Sequence, residues 1–274
     1  FAFYAADMIG ATLNLVDPRY SVEGIREYIE EVDSHLLICL NVVYERCHQA
    51  AKRTHVEHVV VLSPADSLPL PLALGYKIKN LDKNKYHSNV IHWKQFLAAG
   101  KDESIAAEPY DPEHACVVVH TGGTTGSPKG VMLTHAALCA QVDISASIFP
   151  VDGGDTFLSV LPLSHTYECS IGMIYPFSMG ARVVYLDRPP TASALMPALR
   201  AIRPTVMLIV PLIIEKIYRH QVLAKFNSNS FWRTLYRIGF MRRYLHRVAG
   251  GKLMKLFGCL LYTSPSPRDG LLSR

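Results

Sequence analysis

The residues best suited to chemistry lie in one short stretch. His120-Thr121-Gly122-Gly123-Thr124-Thr125-Gly126-Ser127-Pro128-Lys129-Gly130 joins four glycines, three threonines and a lysine. Glycines at 122, 123 and 126 remove the Cβ atoms that would hold a backbone away from an anion, and they accept positive φ. Successive N–H groups can then converge on phosphate oxygens. The hydroxyls of Thr121, Thr124 and Thr125 add short donors, and Lys129 brings a mobile positive charge that can follow a polyphosphate. Pro128 stiffens the approach to that lysine. A Walker A loop needs glycine directly before the lysine and Ser or Thr directly after it. Pro128 and Gly130 stand there instead, so a kinase-like or GTPase-like cradle is not expected. The plain alternative is a surface loop rich in Gly, Ser and Thr.

Such a loop works only if regular elements hold its two ends. A valine-rich run over 115–119 leads in and a helix-like segment over 134–148 follows. That order predicts a loop at the carboxyl end of a strand, where α/β sheets bind ligands. Upstream, helix-like stretches at 1–9, 22–32 and 42–54 alternate with apolar strands at Leu36–Leu40 and 56–62, and 63–74 and 80–88 read as loops. Downstream, strand-like runs recur at 117–119, 157–161, 182–186 and 206–210. The rhythm predicts an α/β fold of mainly parallel sheets with crossover helices, with a sub-boundary near Tyr110. His165, in the loop after the strand at 157–160, lines a pocket on one reading and bonds a backbone carbonyl on the other. The apolar stretches 171–177 and 206–214 suit the wall of an acyl tunnel and equally suit an ordinary core.

A chain of 274 residues with 49% apolar and 19% charged content can bury a large core. No apolar run approaches the roughly 18–20 residues that span a bilayer, and no basic-then-apolar start suggests a signal peptide. Cysteines at 39, 47, 116, 139, 169 and 259 form no C-x-x-C pair, and His55 and His58 have no second cysteine beside Cys47 at ligand spacing. Zinc is therefore not expected, and the thiols read as the reduced, mostly buried cysteines of a cytosolic protein.

The loop also resembles the phosphate-loop signature of the adenylate-forming acyl-CoA synthetases, aromatic-Thr-(Ser/Gly)-Gly-(Ser/Thr)-Thr-Gly-x-Pro-Lys-Gly. Positions 121–130 match it fully, and His120 stands where Tyr or Phe is usual. Val131-Met132-Leu133-Thr134-His135 is similar to the continuation of that motif. Leu161-Pro162-Leu163-Ser164-His165-Thr166-Tyr167-Glu168 resembles the family's Leu-Pro-x-x-His motif, with the trailing Glu of its long-chain fatty-acid members. Gly10-Ala11-Thr12, Asp17-Pro18-Arg19, Arg203-Pro204-Thr205-Val206, Val210-Pro211 and Glu215-Lys216-Ile217-Tyr218 resemble flanking segments, so the likeness spans almost all of 1–258.

What the resemblance implies is a partial amino-terminal adenylation domain that activates a long-chain fatty acid with ATP and transfers it to coenzyme A. Thr121, Gly122, Gly123, Thr124, Thr125, Gly126 and Lys129 would hold the β- and γ-phosphates, Thr124 would touch Mg2+, and His165 would line the junction of acyl and nucleotide sites. Lys129 and His165 are the expected catalytic residues. Aryl-CoA ligases and peptide-synthetase adenylation domains share the loop, and a non-catalytic nucleotide- or lipid-binding module is the reading from another class. The family's later motifs, including its Thr-Glu pair and late lysine, lie beyond the resemblance, so the 274-residue chain alone is expected to be inactive. Phe1 reads as already inside a helix, and 259–274 breaks from the helical pattern and reads as a non-native tail.

Charge is uneven. Ten Lys/Arg and no acid fall between Lys216 and Gly258, so the rest of the chain is net acidic although the total is +5. Aromatic and leucine residues interleave at roughly helical spacing. Two readings stand for 216–258: an interfacial helix on anionic lipid, giving a cytoplasmic protein peripheral on the inner membrane face, or a helical pair packed on the body of the protein. No recognition motif accompanies the charge, so nucleic acid is not an expected partner.

Overall fold

The computed structural model describes residues 1–79, 86–87, 90–121, 129–186, 189–219, 236 and 238–257. The chain divides into two compact units, Phe1–Cys139 and Ala140–Arg274.

The first unit holds two three-stranded sheets. In one, β1 (Leu13–Leu15) runs parallel to β5 (Ala115–Thr121), and β5 pairs antiparallel with β6 (Lys129–Thr134). β5 is buried from Cys116 to His120, the continuous apolar run of a strand covered on both faces. Its Cys116, Val117 and Val119 pack with Leu13, Leu15, Leu133, Phe3 of α1 (Ala2–Met8) and Leu138. The chain leaves α1 through Gly10 at φ 70, where an added Cβ would also stand 3.0 Å from Glu108 Cγ. Only glycine fits that turn without strain.

The second sheet is all parallel, β2 (Leu36–Leu40), β3 (His58–Leu62) and β4 (Val90–His92), with β3 at its centre. Two helices pack beside it. Ile25 and Ile29 of α2 (Val22–Glu31) meet Ala50 of α3 (Tyr44–Ala51), together with Leu37 and Val56. Ser21 caps α2 by accepting the Gly24 N–H at 3.1 Å, which satisfies one of the donors a helix start leaves over.

In the second unit β7 (Thr156–Ser159) runs parallel to β8 (Arg182–Tyr185). Adjacent side chains of β7 feed two cores, as the alternation of a strand requires. Phe157 joins Val151, Tyr175, Ala181 and Val206, whereas Leu158 joins Val160, Met207, and Leu195 and Leu199 of α8 (Ala192–Ile202). A π-helical turn, Glu168–Ile174, runs into α7 (Tyr175–Ser178). α9 (Pro211–Tyr218) and α10 (Gly239–Phe257) complete the described elements, with α5 (Trp93–Ala99) and α6 (His135–Ile148) earlier in the chain.

The α/β architecture with mainly parallel pairing is as expected, and four local expectations are corrected. Residues 63–74 are not a loop: Pro64–Asp66 forms a 3-10 turn closed by a Ser63–Asp66 capping box, and α4 (Leu70–Lys79) follows. Pro71 falls in the first turn of that helix, where proline's missing N–H costs nothing. The helix expected over 42–54 splits into a 3-10 turn, Asn41–Val43, and the shorter α3. The run at 206–210 contributes a single parallel bridge, Phe157 to Val206, in place of a strand. Most consequentially, the segment after the glycine-rich loop is β6, so the loop closes an antiparallel hairpin instead of leading from strand to helix.

Candidate active site

Gly122, Gly123, Thr124, Thr125 and Gly126, with Ser127 and Pro128, lie outside the described residues. The structure brings the two ends of that loop together. Thr121 and Lys129 face each other as the last register pair of the β5–β6 ladder, and the Thr121 hydroxyl lies 3.5 Å from the Lys129 carbonyl oxygen. Both residues are exposed. Seven residues therefore bridge two points fixed by sheet pairing. A lysine on the last rung of a hairpin has a defined root, and its exposed side chain is a mobile point charge of the kind that suits a polyphosphate.

One rung below, His120 pairs with Gly130. The imidazole is buried and stacks on Tyr28 of α2, centroids 4.0 Å apart at 28°. Asn14 of β1 uses its amide N–H groups on the Tyr28 carbonyl at 2.8 Å and Ser34 Oγ at 3.1 Å. Its Oδ1 must then accept, and His120 Nε2 donates to it at 2.7 Å. That bond assigns the Nε2–H tautomer and leaves Nδ1 bare, 3.2 Å from Glu31 Oε2. Burial pushes the His120 pKa below its ordinary value, against the opposing pull of Glu31, so the ring stays neutral.

Glu31 also reaches β6. Its Oε1 accepts the Gly130 N–H at 2.8 Å, tying the carboxyl end of α2 to the residue next to Lys129. A Cβ at Gly130 would stand 3.0 Å from Val118 Cγ1 and 3.3 Å from Glu31 Oε1. The glycine after the lysine is thus needed for close approach. Asn14, Tyr28 and Glu31 were not legible as site residues, because no local spacing links β1 and α2 to a strand about a hundred positions away.

His165 belongs to the second unit. It sits past β7, its N–H donating to Pro162 O at 3.0 Å and its carbonyl accepting the Cys169 N–H at 2.9 Å. This first turn launches the π-helical segment, and the side chain is exposed. Three residues on, Glu168 is fully buried. The Ser159 hydroxyl at the end of β7 donates to Glu168 Oε1, and the Leu161 N–H also bonds the carboxyl. Oε2 has no partner. Burial raises the Glu168 pKa to about 7 against the pull of those donors. Gly172, one turn later, gives the carboxyl its room: a Cβ there would lie 2.7 Å from Glu168 Cδ. π turns inserted in helices recur at functional sites, and this one begins with a buried acid three residues after His165.

A family model described as "AMP-binding enzyme" matches residues 1–261. The chain belongs to the AMP-binding enzyme family. Among curated relatives, it is 24% identical over 270 residues to the long-chain-fatty-acid–CoA ligase of Bacillus subtilis (strain 168), covering 94% of this chain and 48% of that protein. Over 174 residues it is 30% identical to the long-chain-fatty-acid–CoA ligase ACSBG2 of Homo sapiens, covering 61% of this chain and 25% of the relative. The chain thus spans about half or less of the length of these relatives. Among solved structures it is similar to a long-chain-fatty-acid–CoA ligase (FadD1) from Archaeoglobus fulgidus, with TM-score 0.58, 21% identity and coverage of 83% of this chain and 39% of that one. It is also similar to a benzoate CoA ligase from Burkholderia xenovorans LB400, with TM-score 0.59, 20% identity and coverage of 81% and 39%. At these identities the structural likeness is one of fold, the fold of adenylate-forming CoA ligases.

Proposed function

We propose that the protein to which this chain belongs is an AMP-forming acyl-CoA ligase acting on a long-chain fatty acid. The observation that carries the reading is the family match over 1–261 joined to the hairpin that roots Thr121 and Lys129 at the two ends of the glycine-rich loop. The curated relatives supply the acyl class by their names, while the benzoate ligase among the similar folds keeps an aromatic acid as the competing substrate.

In the proposed reaction a carboxylate oxygen attacks the α-phosphorus of ATP, and the bond to the β-phosphate bridging oxygen breaks to release pyrophosphate. The thiolate of coenzyme A then attacks the acyl carbonyl, and AMP leaves with the electron pair of the anhydride bond. The protein's task is to position reactants and to stabilise developing charge. Lys129 compensates the pyrophosphate, the loop donors including Thr121 hold the β- and γ-phosphates, and His165 lines the acyl–nucleotide junction. Mg2+ supplies charge neutralisation on the phosphates when bound. Its expected contact, Thr124, lies outside the described residues. The metal-donor group found among the described residues, Asp7, Cys116 and His135, contains a thiol and does not suit a hard cation that prefers oxygen.

We place the protein in the cytoplasm, peripheral on the membrane. Phe240, Tyr244 and Val248 form an exposed i, i+4, i+8 stripe on α10, next to exposed Arg243 and Arg247. That arrangement supports an interfacial contact with anionic lipid. No helix among the described residues is long and apolar enough to cross a membrane.

Carboxylate-dependent ATP–pyrophosphate exchange by the full-length enzyme tests the assignment. Exchange with C16–C18 acids and not with benzoate supports it, and preference for benzoate moves the protein to the aryl class. ATP binding without exchange for any acid leaves a binding module.

A further inference from the structure

We propose that Asp7, Cys116 and His135 form a site for a borderline divalent cation of the zinc class. Independent of the ligase reading, the inference rests on three side chains from three elements of the first unit. Asp7 comes from α1, Cys116 from the start of β5 and His135 from the first residue of α6. One ligand atom of each lies within 4.8 Å of the other two.

His135 is bonded at both ring nitrogens, and the Asp7 hydrogen bond and the Asp111 carbonyl raise its pKa above the ordinary value. Its Nδ1 lies 2.8 Å from the Asp111 carbonyl oxygen, which can only accept, so Nδ1 carries the proton. A backbone carbonyl on one nitrogen is the usual outer partner of a ligating histidine, fixing ring orientation and leaving the other lone pair for the metal. Here Nε2 points at Asp7 Oδ1, 2.8 Å away. A carboxylate oxygen and an imidazole lone pair at that distance need something positive between them. A proton serves in the Asp7–His135 pair, and a cation can replace it.

Zn–N and Zn–O bonds near 2.0–2.2 Å and Zn–S near 2.3 Å set tetrahedral ligand atoms roughly 3.3–3.7 Å apart. The Asp7–His135 contact must therefore open by about half an ångström. The Cys116 thiol lies 3.4 Å from the Leu133 carbonyl oxygen, and burial holds its pKa near 11. Without metal it stays protonated, and the cation must displace that proton, as zinc does at thiol sites.

A second observation marks the same corner. The His114 ring lies 5.5 Å from that of His135, and its Nε2 is sealed from solvent without a hydrogen-bond partner among the described residues. A buried polar atom left over beside the His135 ring fits a neighbourhood organised for more than one hydrogen bond. Carboxylate, imidazole and thiol together favour zinc over the alkaline-earth ions. Bound metal would pin α1 to the start of β5 and α6, the strand that carries Thr121 at its other end.

The test uses the full-length protein, stripped with chelator and loaded with Zn2+ or Co2+. The expected result is about one metal per chain surviving gel filtration, a raised Tm with Zn2+, and thiolate-to-cobalt charge transfer in the near ultraviolet. His135→Gln and Cys116→Ala should each weaken binding about a hundredfold or more, beyond the usual effect of losing an outer-shell partner. His135→Gln keeps the test decisive if Cys116→Ala does not fold. Cys39→Ser and Cys139→Ser should bind as the parent does. No retained metal overturns the proposal, as does retention by His135→Gln or loss in Cys139→Ser, which would make the exposed thiol the true ligand.

Discussion

Glu168→Gln should make the protein more stable at alkaline pH and leave it nearly unchanged at acid pH. The parent carboxyl is fully buried, receives hydrogen bonds from Ser159 and Leu161, and has its pKa raised to about 7 from an ordinary 4.5. A tenfold change in acidity corresponds to about 1.4 kcal/mol, so ionising Glu168 in the folded chain costs up to about 3 kcal/mol relative to the unfolded chain. Because the folded value lies above the unfolded one, the associated stability is fully present below pH 4.5. It is lost as pH rises through 7, since the unfolded chain has by then released its proton while the folded one resists. Glutamine cannot ionise, and its amide oxygen can still accept from Ser159 and Leu161. Urea unfolding of parent and variant between pH 4.5 and 9 gives the difference directly. It should be near zero at the acid end and grow to about 2–3 kcal/mol in favour of glutamine above pH 8. A difference that stays flat across the range would refute the buried, neutral Glu168.

The same corner predicts that Gly172→Ala costs about 1–3 kcal/mol, from forcing a methyl against the Glu168 carboxyl. Combining it with Glu168→Ala should recover part of that loss in a thermal-unfolding cycle. Lys129→Ala should leave stability within about 0.5 kcal/mol, because the side chain is exposed. In the full-length enzyme it should slow pyrophosphate exchange about a hundredfold, and unchanged kinetics would remove Lys129 from the phosphate site. His120 is held neutral by burial, its pKa below the usual 6.5, so its contribution to stability falls as pH drops from 6.5 through that lower value. His120→Phe should abolish this acid sensitivity while costing about 1–3 kcal/mol for the orphaned Asn14 oxygen, which chemical unfolding at pH 5 and pH 8 will show. For the membrane contact, co-sedimentation with phosphatidylserine vesicles should fall when Arg243 and Arg247 become glutamine, and binding indifferent to those charges would place α10 against protein instead.

How much of this was legible in the sequence follows the range of the interactions involved. The glycine-rich loop is a local motif, and its resemblance to a family signature is legible because glycine, threonine, proline and lysine stand within one short run of chain. β2 was read at its observed bounds, Leu36–Leu40, and α2 to within a residue, since Ser21 caps one end and an apolar face at Ile25 and Ile29 marks its length. β6 was missed for a physical reason. Val131-Met132-Leu133 is too short for its period to show, and its strand state comes from pairing with β5, from Val119 to Ala115. The setting of His120 is the same lesson at the site itself. From sequence it was an unusual residue where an aromatic is expected. In the fold it is still an aromatic stacked on Tyr28, but one whose Nε2–H takes up the Asn14 oxygen and whose other edge faces Glu31. The substitution is therefore coupled to partners in β1 and α2 that no motif around position 120 could reveal. Cys116 and His135 likewise meet Asp7 only because β5 lies between β1 and β6 with α1 packed on it. A search for closely spaced metal ligands passes over a site whose spacing is created by the sheet.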